Sequence, residues 1–173
     1  MNKKGKLLLI DLLVFVLLLA LDQFTKYLAI IKLKGQAAIQ LIPEVLELQY
    51  LENRGSAFGM LQNQKIFLLF VGVIFMAVMI FFLVKMPVEK KFYFAHVVFT
   101  FVIAGGIGNM VDRVRFDFVV DFISFVLIDF PIFNVADIYI VLGTITLFIL
   151  FMFVYKEKDL EFLSFKQNRY REM

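Results

Sequence analysis

Ile66–Val84, IFLLFVGVIFMAVMIFFLV, runs for 19 residues without a charge and is bracketed by Lys65 and Lys85. A helix needs about 20 apolar residues to cross a bilayer, so this stretch predicts a membrane span. Phe92–Val111 and Ile138–Tyr155 are of similar length. Leu7–Leu21 follows Lys3, Lys4 and Lys6 and resembles a signal-peptide core, but no small-residue cleavage site follows it and three further spans do. It is read as a retained helix that continues through DQFTKYLAII to Ile31. With 62% hydrophobic residues, 23 Phe and a mean hydropathy of +0.87, the composition lies far outside that of a soluble globular domain. The expected fold class is an all-α membrane protein with four transmembrane helices. It forms a single integral membrane domain over residues 1–173, with spans near 7–31, 66–84, 92–111 and 138–155 and extracytoplasmic segments at 32–65 and 112–137.

Orientation follows from the positive charges. The N-terminal tail (Lys3, Lys4, Lys6), the loop with Lys85, Lys90 and Lys91, and the tail with Lys156, Lys158, Lys166, Arg169 and Arg171 hold 11 of the 18 Lys and Arg residues. These short segments belong inside, so both termini are expected in the cytoplasm. In the first outer segment Leu46, Leu48 and Tyr50 alternate with Glu47 and Gln49, the pattern of a half-wet strand, and predict a small extracytoplasmic sheet. Asn53-Arg54-Gly55-Ser56 supplies a turn before Ala57-Phe58-Gly59. The second outer segment contains FDFVVDFISFVLIDFPIF, too apolar for disorder. It is expected as a surface loop or helix that lies on the membrane or dips into it. The C-terminal tail, KEKDLEFLSFKQNRYREM, reads as a solvated or membrane-surface end.

Polar residues within the apolar spans gather at one depth. Asp22 lies 15 residues beyond Leu7, which at about 1.5 Å per residue is ~22 Å into a core about 30 Å thick. Lys26 follows at i+4 on the same helix face. Asn109, Asp112 and Arg113 end the third span, and Asn134 and Asp137 begin the fourth. A carboxylate inside a bilayer costs roughly 2.5–3.5 kcal/mol or more unless paired or hydrated, so a one-sided cluster of acids marks a functional site. Asp11, near the inner end of the first helix, is expected to reach cytoplasmic water instead.

The residue inventory narrows the chemistry. Zinc hydrolysis of the HExxH kind needs two His on one helix face, and the only His is His96, read as interfacial at the cytoplasmic start of the third span. With no cysteine, a thiol nucleophile is excluded. Ser56 with Lys26 could form a nucleophile and base, but Asp22 one turn away keeps Lys26 charged and a poor base. Two carboxylates remain. Brought close in an apolar setting they share a proton, so that one acts as base and the other as acid.

Five acids lie between Asp112 and Asp137, and composition does not choose two of them. Asp112, followed by Arg113, reads as a structural ion pair. Asp117 and Asp129 read as solvated. Asp121, between Val119-Val120 and Phe122-Ile123, has the apolar surroundings that raise a carboxyl pKa. Asp137 reads equally well as an acid in the capping region of a helix, with Asn134 as its cap.

DQFTK (Asp22–Lys26), NRGSAFG (Asn53–Gly59), GGIGNMVDR (Gly105–Arg113), VVDFI (Val119–Ile123) and FNVAD (Phe133–Asp137) resemble, in order and spacing, the five motif blocks of the lipoprotein signal peptidase family, signal peptidase II. The resemblance implies a four-helix membrane aspartyl endopeptidase that removes the signal peptide from bacterial prolipoproteins just before a diacylglyceryl-modified cysteine. It implies Asp121 and Asp137 as the catalytic pair. Asp22, Lys26, Asn53, Gly105, Asn109, Arg113 and Asn134 match positions that line or support the substrate site. The implied partners are a lipidated prolipoprotein and membrane lipid; no nucleic acid, metal or cofactor is required, and a monomer is expected. Two positions depart from the family pattern. Asp117 stands where glycine is common, although glycine takes φ > 0 more readily, and Ile138 stands where a small hydroxyl residue often follows the last Asp. The rival from another class is a proton-conducting or transport protein, since membrane acids also form ion paths. Against it, Ile66–Val84 has no polar relay residue, and Ile138–Tyr155 offers only Tyr139, Thr144 and Thr146 in its interior. A third reading, a structural or assembly subunit, leaves the outer polar cluster without a purpose.

Overall fold

A computed structural model describes residues 2–55 and 60–163. Four long helices carry the chain back and forth: α1 (Lys3–Leu33), α2 (Lys65–Lys85), α3 (Tyr93–Phe116) and α4 (Val135–Ile149), the last extended by a π turn over Leu150–Val154. All four are long and apolar enough to cross a membrane. Their outward side chains are apolar, as with Leu17, Phe70 and Phe153, and this suits a helix surface solvated by lipid. The helix α3 is the central one. It packs against each of the others and buries Val98, Phe99, Val102, Ile103 and Ala104. A cluster of Met79, Leu83, Met86, Phe92, Phe99, Leu147 and Leu150 fills the end of the bundle farthest from the acids.

At the other end sits a three-stranded antiparallel sheet of β1 (Ile39–Ile42), β2 (Leu46–Asn53) and β3 (Val119–Phe125) in the order β1-β2-β3. The alternating segment around Leu46–Tyr50 is β2. The apolar outer segment differs from the expected surface loop or helix, because α3 runs on to Phe116 and Val119–Phe125 pairs with β2. The physical reason is burial on both faces. Val120 and Phe122 pack onto Ala29 and Leu33 of α1, while Asp121 points away from them, so the run carries no alternating signal. Beyond a short turn at Val126–Ile128, Phe133 pairs with Ile123 through backbone bonds of 2.8 and 3.0 Å. That return sets Asn134 and the start of α4 beside β3.

Two further expectations are corrected. Asp11 and His96 are both shut off from solvent: they are 5% and 1% exposed, with Asp11 Oδ2 2.9 Å from His96 Nδ1. The contact gives each a hydrogen-bond partner away from water, which a buried polar group needs. The tail is not wholly solvated either. Its first part, Glu157–Leu163, folds back so that Leu160 and Phe162 cover the helix core and Asp159 Oδ1 lies 2.8 Å from Lys91 Nζ. The rest of the tail lies outside the described residues.

Candidate active site

The site is assembled where α1, α3, β3 and the start of α4 meet. Asn134 is the N-cap of α4: its Oδ1 accepts from the N–H of Asp137 at 3.0 Å, and its own N–H donates to Asp137 Oδ2 at 3.1 Å. This reciprocal box satisfies two helix-end groups and fixes Asp137 in the first turn, where the helix dipole favours negative charge. The same Asn134 donates from Nδ2 to Asp121 Oδ1 at 2.6 Å. One asparagine thus holds both acids, which come from different elements.

Each carboxyl has a second donor. Asn53 Nδ2 donates to Asp121 Oδ2 at 2.8 Å, a diagonal contact across the sheet, because Asn53 is paired with Val119 and Leu51 with Asp121. Asn109 Nδ2 donates to Asp137 Oδ1 at 2.8 Å. With both its oxygens held, Asp137 needs no hydroxyl at position 138. Asp121 is 1% exposed; burial, and next to it the charge of Asp137, push its pKa up to about 7. A carboxyl that keeps its proton near neutrality can donate it, whereas an ordinary one cannot.

Beneath the acids lies a buried ionic cluster. Lys26 is 2% exposed, with Nζ 3.0 Å from Asp22 Oδ2, 3.1 Å from Asp112 Oδ2 and 2.9 Å from Asn109 Oδ1. Asp112 pairs with this lysine and not with Arg113, since adjacent helix residues do not face one another. It also accepts from the backbone N–H of Val120 at 3.1 Å, tying β3 to α3. Asp22 Oδ1 accepts from the N–H of Ala136 at 3.1 Å, tying α4 to α1. Gln23 was not singled out in the sequence. Its Nε2 lies 3.1 Å from Asp22 and 3.0 Å from Asp112, and the available signal was an amide side chain within an apolar span.

The remaining residues take different places. Arg113 donates to the carbonyls of Gly55 at 2.8 Å and Asn109 at 3.3 Å, so its guanidinium holds the loop after β2 near the acids. A backbone bond of 3.1 Å joins Asn63 to Arg54, so the loop between them begins and ends at one place. Ser56, with the rest of Ser56–Gly59, lies outside the described residues. Gly105 faces α4, where a Cβ would collide with the Ala136 carbonyl oxygen, and a Cβ at Gly108 would strike the Asp22 carboxylate. Both glycines are used for close approach of helices. Asp117 is exposed and left-handed at φ 67°, closing α3 and ion-paired with Lys65; Asp129 is also exposed. Among the described residues no three His, Asp or Glu side chains converge as a metal ligand set. The arrangement offers acid–base chemistry by two carboxyls held by amides, one of them kept protonated.

Residues 14–153 match the family model described as signal peptidase (SPase) II. A lipoprotein signal peptidase of Caldanaerobacter subterraneus subsp. tengcongensis is 45% identical over 134 residues, 77% of this chain and 89% of that protein. One from Streptococcus thermophilus is 38% identical over 142 residues, covering 82% of this chain and 90% of its own length. A solved bacterial membrane enzyme, determined by the in meso method at 2.3 Å, is 29% identical with a TM-score of 0.75, covering 91% of this chain and 93% of that one. A second, at 1.9 Å, is 31% identical with a TM-score of 0.70, covering 84% of this chain and 94% of that one.

Proposed function

The chain belongs to the signal peptidase II family, and from that membership we propose that Asp121 and Asp137 are the catalytic pair with which it cleaves signal peptides from prolipoproteins. It is an aspartic-type signal peptidase and a multi-pass bacterial membrane protein. The observation that carries the assignment is the double use of Asn134, which bonds one acid through its side chain and the other through its backbone N–H. Two carboxyls held in this way can address one water and one amide. One carboxylate takes a proton from the water, whose oxygen attacks the scissile carbonyl. The other carboxyl protonates the oxyanion; as the C–N bond breaks, its electron pair stays on nitrogen, the first acid passes the proton it took from water to that departing amine, and the second recovers its proton from a hydroxyl of the collapsing intermediate.

The substrate is a prolipoprotein whose cysteine already carries diacylglycerol, and cleavage falls just before that cysteine. Its acyl chains require an apolar path between helices, while the scissile amide requires the polar rim. The acids lie at the end of the bundle that bears the sheet. The distribution of Lys and Arg supports an extracytoplasmic position for that end and cytoplasmic termini. The enzyme acts as a monomer surrounded by lipid, with Asp22, Lys26, Asn53, Gly105, Asn109, Arg113 and Asn134 lining or supporting the site. Asp121→Asn and Asp137→Asn, assayed separately on a lipidated prolipoprotein in membranes, are each expected to lose turnover by 1,000-fold or more, on the order of what removing an acid–base group costs. Normal turnover by either variant refutes the pair.

A further inference from the structure

We propose that Lys26, which bonds neither acid, is a positioning residue that acts through Asn109 and makes Asp137 the charged member of the pair and Asp121 the proton carrier. The inference rests on the catalytic assignment above and adds a division of labour to it. An ammonium group has donors only, so the oxygen of Asn109 must face Lys26 Nζ, at 2.9 Å. Asn134 Nδ2, at 3.2 Å, donates to the same oxygen. With the oxygen held by two donors, the Asn109 amide cannot turn over, and its N–H points at Asp137 Oδ1, 2.8 Å away. The hydrogen bonds therefore run in one direction, from Lys26 through Asn109 to Asp137.

Asp121 also receives two N–H donors, from Asn53 and Asn134. Donors alone do not tell the acids apart, but position does. Asp137 sits in the first turn of α4, where aligned peptide dipoles favour an anion; Asp121 sits in the middle of a strand, which has no such field. The ammonium of Lys26 acts on both acids, while the guanidinium of Arg113 acts more strongly on Asp137 than on Asp121. With Asp137 ionised, a second negative charge beside it is disfavoured, and Asp121 keeps its proton up to about pH 7. In the reaction Asp137 then takes the proton of the attacking water, and Asp121 gives its own proton to the carbonyl oxygen as the C–O bond to that water forms.

The test is a pH–rate profile of the full-length enzyme in detergent–lipid micelles with a lipidated prolipoprotein. Lys26→Met combined with Asp22→Asn removes one positive and one negative group, so the buried cluster keeps its net charge while Asn109 loses its clamp. The expected result is a kcat about 10–100-fold lower, a KM within about twofold of the parent, and an acidic limb moved to higher pH. Asn109→Leu leaves the Lys26 ion pairs in place and is expected to move the acidic limb in the same direction, which keeps the test decisive if the double variant does not fold. A fall in kcat with the limb unmoved in Asn109→Leu, or an unchanged profile in either variant, overturns the proposal. Neither outcome bears on whether Asp121→Asn and Asp137→Asn are inactive, so the two readings fail separately.

Discussion

Asn134 Nδ2 lies 2.6 Å from Asp121 Oδ1, so the residue that caps α4 also grips an acid from the sheet. Helix start, strand and site are thereby one object. Replacing Asn134 by Ala removes the cap, at about 1 kcal/mol. It also frees Asp121 to rotate, which is expected to lower kcat by roughly 100-fold. Thermal unfolding and turnover measured on one preparation check the two effects; a full loss of stability with kcat intact would contradict the second.

The pH dependence follows from Asp121. Its folded pKa, about 7, lies above its ordinary value of 3.8 because burial disfavours the anion. Activity that needs its proton falls as pH rises through about 7. Stability has the same sign: below pH 3.8 both states hold the proton, and between 3.8 and 7 only the folded state does. Stability therefore declines across that window and levels off above it. Asp121→Asn should lose this slope, which thermal midpoints taken from pH 4 to 9 will register.

At the far end of the bundle, Asp11 and His96 are both buried and joined at 2.9 Å. Removing one partner leaves a buried polar group of the other without its hydrogen bond, a loss of roughly 1–3 kcal/mol. Asp11→Leu and His96→Leu should each lower the unfolding midpoint, and the double variant should recover most of the loss. Turnover per folded molecule is expected to stay at the parent value in all three, since neither residue approaches the acids.

Asp117 closes α3 at φ 67°, a conformation glycine adopts without penalty, while its carboxylate, held below the usual range by Lys65, adds only a solvent-exposed ion pair. Asp117→Gly exchanges a screened attraction for backbone ease. Its melting temperature should equal or exceed that of the parent and respond less to salt. Asp117→Val, with a branched side chain forced into the left-handed region, should melt several degrees lower.

The spans were legible because a bilayer imposes a simple rule: about 20 apolar residues with charge at both ends, as in Ile66–Val84. The β2 strand was legible for a like reason, since Leu46, Leu48 and Tyr50 alternate with polar neighbours. β3 was not, because Val119–Phe122 is buried on both faces and no period survives. Asp11 and His96 could have been matched by depth, as both lie near the inner ends of their spans, but distance in sequence concealed the contact. The polar residues of the outer rim stood out individually through the cost of placing them in hydrocarbon.

By itself, the order of residues determined the four spans, the side on which charge collects, the absence of thiol chemistry and, through the five motif blocks, the family resemblance. Only the tertiary structure decided which donor serves which acid, that Asp112 answers Lys26, and that Asn134 bridges Asp121 to Asp137. The physical reason is that hydropathy is a property of each residue, summed along the chain. A hydrogen bond is a property of two groups within about 3 Å, and for Lys26 and Asn109 that proximity exists only once α1 and α3 have packed.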